Sequence, residues 1–165
     1  MTAWLVDDAA REPLAAAARA LAEHPGDPLR AGTALRRAQP AMAPAVAAAC
    51  LEQAELRRRA REQYGIVADD LLLTRDGLEQ ATRPEVADHR AAVLRAAGVE
   101  RVLDLTAGLG FDTAAFLRAG LTVTALERDP DTARLCRHNN PEARVSCADA
   151  TDPATLEPLL GRLPA

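Results

Sequence analysis

Residues 102–112 read Val-Leu-Asp-Leu-Thr-Ala-Gly-Leu-Gly-Phe-Asp, and the fold turns on this stretch. An apolar strand runs into an acid, Asp104. Gly108 and Gly110 follow, and a helix opens behind them. A strand that ends in a glycine turn brings bare backbone within reach of a small ligand. The N-terminus of the next helix adds N–H groups without helical partners and a partial positive charge. The stretch reads as a cradle for a nucleotide-like ligand.

Working outward, the pattern after residue 99 alternates between short apolar runs and helical stretches. Arg101–Leu105 reads as a short buried strand, residues 112–119 as a helix closed by Gly120, and Leu121–Leu126 as a second strand rich in β-branched residues. Asp129-Pro130 opens another helix to about His138, Asn139-Asn140-Pro141 ends it, and Arg144–Cys147 is a third strand followed by Asp149. Residues 153–161 add a short helix. Strands that alternate with helices predict a parallel sheet built from crossovers.

The chain changes character near residue 65. Residues 1–64 are rich in alanine and arginine, and prolines punctuate them into three helices at roughly 8–23, 28–38 and 44–63. Val46, Cys50, Leu56 and Ala60 share a face of the third, and Gly65 is placed to end it. Arg57, Arg58, Arg59 and Arg61 make a basic run near that end. A solvated helix face is the favoured reading of this run, with RNA contact as the alternative. Residues 66–82 then join the halves, with Leu71-Leu72-Leu73 read as a strand and Arg75-Asp76-Gly77 as a turn. Thr82-Arg-Pro-Glu85 reads as a capping box. Its helix runs to about Ala97, with Val86, Val93, Leu94 and Ala97 inward and His89 beside the stripe. The domain reading is therefore 1–65 helical, 66–82 linker and 83–165 ligand-binding.

Composition narrows the classes. The 165 residues carry a net charge of −4, which speaks against a general nucleic-acid binder. All 20 basic residues are arginine, a compositional bias. The three cysteines, Cys50, Cys136 and Cys147, have no C-x-x-C spacing and read as small buried hydrophobes in a reducing compartment. No run approaches about 18 apolar residues, so no membrane span is expected. With no charged-then-apolar leader, a cytoplasmic location is the expectation.

In an open parallel sheet, ligands bind beyond the carboxyl ends of the strands. Asp104, Glu127 and Asp149 stand at three consecutive strand ends. A carboxylate at Glu127 can accept from both hydroxyls of a ribose, each such bond being worth about 1.5–3 kcal/mol. Asp149 can accept from an adenine amine, with the Ala150 N–H facing a ring nitrogen. Asp104 can brace the glycine loop or meet an ammonium group. A dinucleotide site is the first candidate, but its G-x-G-x-x-G fingerprint ends here in Thr113. Asp104 and Asp112 would also sit beside a pyrophosphate of like charge. The second candidate is a phosphate-free adenosyl ligand with positive centres, and S-adenosylmethionine fits.

The segment Asp104-Leu-Thr-Ala-Gly-Leu-Gly-Phe-Asp-Thr113 resembles the first motif of class I S-adenosylmethionine-dependent methyltransferases. The nearest likeness is to the trimethylguanosine synthase group and bacterial relatives with a THUMP-like domain. Thr82–His89, Ala125–Pro130 and Leu135–Asn140 are similar to three further stretches of that group. The resemblance covers about residues 70–150. It implies an α/β fold: a helical N-terminal subdomain, then the first half of a Rossmann-like methyltransferase sheet in the order 3-2-1, cut short. It places Asp104, Gly108, Gly110, Asp112 and Thr113 around the methionine moiety, with Thr106 and Ala107 in the same loop. Glu127 would hold the ribose, Asp149 and Ala150 the adenine, and Gln80 and Thr82 would reach in from the preceding segment. It further implies an RNA nucleobase as methyl acceptor.

One departure stands out. The group carries a proline-containing catalytic loop after its fourth strand. Asp152-Pro153-Ala154 has the letters, yet no apolar strand precedes it, and Pro153 reads as a helix start. No catalytic residue is therefore assigned within the chain, which reads as the donor-binding part of a larger enzyme. A non-catalytic binding module is the alternative. With no fourth strand, the edge of Val102–Leu105 would be bare, so self-association there, or cover by residues 66–82, is expected.

Overall fold

The computed structural model describes residues 3–67 and 69–160. The chain forms two compact units, residues 1–75 and 76–165.

The first unit is helical. Two short 3-10 turns, Ala3–Val6 and Asp8–Ala10, lead into α1 (Arg11–Glu23), followed by α2 (Pro28–Ala38) and α3 (Pro44–Tyr64). Proline at the first position starts α2 and α3 where the missing N–H costs nothing. The Asp27 side chain caps α2 by accepting from the Arg30 N–H at 2.9 Å. α1 packs on both other helices, burying Leu14, Ala17 and Ala20 against a core that includes Leu35, Cys50, Leu56 and Ala60. Val46, expected on the same face, is half-buried. Gly65 ends α3, and the Ile66 N–H closes the turn onto the Ala60 carbonyl at 3.0 Å.

Leu71–Leu73 is not the strand expected from its apolar run; it is extended chain outside any sheet. Its backbone is satisfied by side chains instead. Buried Gln53 accepts from the Leu73 N–H at 2.9 Å and donates to the Leu73 carbonyl at 2.7 Å. The Arg57 Nε donates to the Leu71 carbonyl at 2.7 Å. A backbone whose polar groups are met this way needs no neighbouring strand. The Arg75–Gly77 turn is likewise the first part of a helix, α4 (Arg75–Glu79), which stands where the two units divide.

The second unit is α/β: α5 (Pro84–Ala96), β1 (Arg101–Asp104), α6 (Phe111–Arg118), β2 (Thr122–Glu127), α7 (Pro130–Asn139), β3 (Arg144–Cys147) and α8 (Pro153–Leu160). The strands are parallel in the order β1-β2-β3, the same order as the expected 3-2-1 counted from the other edge. Leu103 pairs with Thr124, Asp104 with Ala125, and Glu127 with Cys147. One face carries the core: Val123, Ala125 and Val145 of the sheet pack with Ala87 and Ala91 of α5, Ala115 and Phe116 of α6, and Cys136 of α7.

Three expectations change here. β1 is half-exposed rather than buried, and Leu105 is 40% exposed; among the described residues β1 pairs with β2 alone and stands at the edge of the sheet. On α5 the inward residues are Ala87 and Ala91, with Leu94 half-buried, while Val86 and Val93 face out at 47% and 53% exposure. Small alanines let α5 approach α6 closely, and the bulkier valines turn away. Cys147 is exposed, whereas Cys50 and Cys136 are buried as expected.

Candidate functional site

The site forms where β1 and β2 end. Ala107 continues the ladder, its N–H donating to the Leu126 carbonyl at 2.9 Å. The chain then turns tightly, and the Gly110 N–H donates back to Ala107 O at 2.7 Å. Gly110 has φ +86°, and a Cβ there would overlap the Asn140 amide nitrogen and lie 3.0 Å from the Cys136 sulfur. Only glycine fits this conformation and this space. Gly110 is also the N-cap of α6, which has no side-chain cap, so the first N–H groups of that helix stay available at the loop.

The acids brace this loop. Asp104 accepts from the Thr113 hydroxyl at 2.7 Å through one oxygen and from the Thr106 N–H at 3.3 Å through the other. Burial pushes the Asp104 carboxyl above its usual range, the Thr113 and Thr106 bonds oppose that, and the Asp112 charge adds to it. Glu127, at the end of β2, accepts from the Gly108 N–H at 3.0 Å and from the Asp129 N–H at 2.8 Å, one on each oxygen. A carboxylate offers about four lone-pair sites, so Glu127 keeps acceptor capacity after both bonds.

Thr82 does not cap α5. Arg83 holds the N-cap position, and the Thr82 hydroxyl donates to Asp112 at 2.5 Å. The other Asp112 oxygen pairs with Arg90 at 2.8 Å. Thr82, Arg90 and Asp112 thus tie the start of α5 to the start of α6. The structure brings Thr82, Asp104, Thr106, Gly108, Asp112, Thr113 and Glu127 into local hydrogen-bonded sets around one loop. Asp149 stands apart from these bonds. It is exposed and turns onto Thr151, whose hydroxyl at 2.7 Å and N–H at 2.8 Å hold its carboxyl below the usual range. It lies two residues beyond Cys147, which pairs with Glu127. Ala150 is half-buried beside it and Gln80 is exposed.

Three residues were missed by sequence reasoning. Arg90 reaches Asp112 across 22 residues, a separation that leaves no local signal. Asn139 donates to the Leu109 carbonyl at 3.1 Å, and Asn140, 2% exposed, backs Gly110. The likeness noted for Leu135–Asn140 covered both, without a role for either.

Other features of the chain lie elsewhere. A cavity of about 600 Å³ opens in the first unit between α1, the Pro25–Pro28 turn and α3; it includes no residue of the glycine loop. The α3 arginines are largely engaged: Arg58 pairs with Glu55 and Glu62, Arg61 with Asp69, and Arg57 with a carbonyl. Among the described residues, no cluster of His, Cys, Asp or Glu is placed to hold a metal ion, and no helix is long and apolar enough to cross a membrane. Asp152-Pro153-Ala154 heads α8, and Asp152 accepts from the Ala154 N–H at 3.0 Å.

No protein-family model and no curated protein matches the chain. Among solved structures it is similar to a Porphyromonas gingivalis W83 protein named "putative methyltransferase", with a TM-score of 0.55 at 24% identity. The match covers 84% of this chain and 34% of that one, so this chain spans about a third of that protein's length. The likeness shows the fold alone: a helical N-terminal unit followed by a Rossmann-like arrangement of three parallel strands alternating with helices.

Proposed function

We propose that this chain binds S-adenosylmethionine at the ends of β1, β2 and β3, as the donor-binding part of an RNA nucleobase methyltransferase. The observation that carries this reading is the charge of the loop's surroundings. Asp104 is partly buried with its carboxyl raised, Asp112 lies nearby, and Glu127 faces the loop from β2. Such a setting favours a ligand that brings positive charge and opposes a pyrophosphate. S-adenosylmethionine carries an ammonium and a sulfonium, and when bound it supplies an activated methyl group. In this reading Asp104 meets the ammonium and Gly108–Gly110 let the methionine moiety lie against backbone. Glu127 uses its remaining lone pairs on the ribose hydroxyls, and Asp149 and Ala150 meet the adenine. Thr106, Ala107, Asp112, Thr113 and Thr82 shape the loop around it. No residue of the chain is assigned to the methyl acceptor.

A second reading, a binding module without chemistry, draws on the role of Asp152-Pro153-Ala154 as a helix start. Calorimetry with S-adenosylhomocysteine and with NAD tests the donor site common to both. Binding of the first alone is expected, with Glu127→Ala and Asp149→Ala each weakening it. Binding of NAD alone, or unchanged affinity in both variants, would refute the site. Methyl transfer to RNA by the longest natural form of the chain separates enzyme from module.

A further inference from the structure

The glycine loop is held from behind. Its Ala107 N–H goes to Leu126, its Gly108 N–H to Glu127 and its Gly110 N–H back to Ala107. The Leu109 carbonyl takes its bond from Asn139, at the last position of α7. Asn140, the C-cap of the same helix, fills the space that a side chain at 110 would need. It donates to the Cys136 carbonyl at 3.1 Å, and its Oδ1 is buried without a partner among the described residues. An orphaned buried acceptor is costly, and an apolar side chain of similar size would avoid that cost. The amide at 140 therefore meets one carbonyl of the last turn of α7, leaves its own oxygen unmet, and sets its Nδ2 and Cγ in the space behind Gly110.

We infer that Asn139 and Asn140 are positioning residues that hold the glycine loop in its ligand-ready shape, Asn139 through the Leu109 carbonyl and Asn140 by filling the space behind Gly110. In the donor site proposed above, on which this rests for its ligand, neither side chain touches the cofactor. Both act through the loop. A loop freed from the clamp samples more conformations, and ligand binding must then select the competent one.

The test uses the full chain with Asn139→Ala, Asn139→Asp, Asn139→Gln and Asn140→Ala. Asp keeps the shape of Asn but cannot donate, whereas Gln retains an amide donor. Amide hydrogen exchange is measured without ligand at Gly108 and Gly110 in the loop and at Val123 and Ala125 in β2. The Ala and Asp variants should exchange faster at the loop with the strand unchanged, and Gln should restore much of the protection. Affinity for S-adenosylhomocysteine should fall about two- to tenfold in the same variants, the scale of one lost hydrogen bond. Unchanged loop exchange overturns the inference, as does equal acceleration in loop and strand, which marks a merely structural role. If the wild-type chain binds no S-adenosylhomocysteine, the donor-site reading fails, and exchange in the free protein still decides whether the clamp holds the loop.

Discussion

Gly110→Ala is the sharpest perturbation of the loop. With φ at +86°, an alanine there adopts a left-handed conformation, at a cost of about 1–2 kcal/mol. Its Cβ overlaps the Asn140 amide and approaches the Cys136 sulfur at 3.0 Å, and overpacking of this kind adds about 1–3 kcal/mol. The stiffer unfolded chain returns about 0.4–1 kcal/mol, leaving a loss of about 1–4.5 kcal/mol. Gly108→Ala is the internal control. Its φ is +55°, with nothing within 4 Å of the added carbon, so conformation alone acts and the loss is at most about 1.5 kcal/mol. The assay is native-state hydrogen exchange at Val123 and Ala125, which reports the second unit without assuming that the two units unfold together. Asn140→Ala makes room, so the Gly110→Ala/Asn140→Ala double variant should recover part of the loss, a coupling of about 0.5–3 kcal/mol. Equal losses at 108 and 110, or a strictly additive double variant, would refute the packing argument.

Four further outcomes follow from the same contacts. Burial raises the Asp104 pKa in the folded state, so its contribution to stability is full below the unfolded value of about 3.9 and is lost as pH rises through the folded value. Asp104→Asn should therefore stabilise the ligand-free chain near neutral pH, with the gain vanishing toward about pH 4 in thermal melts; a pH-independent effect would count against it. Gln53→Ala strands the buried Leu73 N–H and carbonyl, at about 1–3 kcal/mol each and so about 2–6 kcal/mol together by urea unfolding of the first unit; a loss under about 1 kcal/mol would mean that water or another group replaces the clamp. A thiol reagent should label Cys147 fast and leave Cys50 and Cys136 silent, since both are buried and Cys136 is pushed up to about 12 by burial and by Asp104 and Glu127; rapid reaction at Cys136 would contradict this packing. The half-exposed β1 edge should drive self-association that Leu105→Lys reduces; light scattering at the 17.5 kDa monomer mass at every concentration would exclude it.

The βαβ alternation was legible because short apolar runs are bounded by Gly110, Gly120 and the Asp129-Pro130 step. Each carries a local cause for where an element starts or stops, so the boundaries came out within a residue or so. Leu71–Leu73 misled for the opposite reason: its hydrogen-bond partners sit on Gln53 and Arg57, more than ten residues away. Val86 and Val93 misled because in an alanine-rich helix the smallest residues mark the close contact, not the most apolar ones. At the site, the strand-end acids could be placed from strand periodicity. That Glu127 would hold Gly108, or Thr82 would hold Asp112, depends on separations of 19 and 30 residues, and no pattern of neighbours encodes them.

Five helices, α2, α3, α5, α7 and α8, begin on proline: Pro28, Pro44, Pro84, Pro130 and Pro153. In α3 and α5, where alanine is the commonest residue, one face differs little from the next, and a slip by one residue would meet weak resistance from side-chain shape. A proline at the first position resists moving inward, because there it would lose a helical bond and clash with the preceding turn, a cost that α8 meets at Pro158. These prolines supply reading-frame information that the alanines lack. Connecting loops are then free to change in length, while each helix keeps the frame that turns its asparagine, arginine or cysteine to the right side.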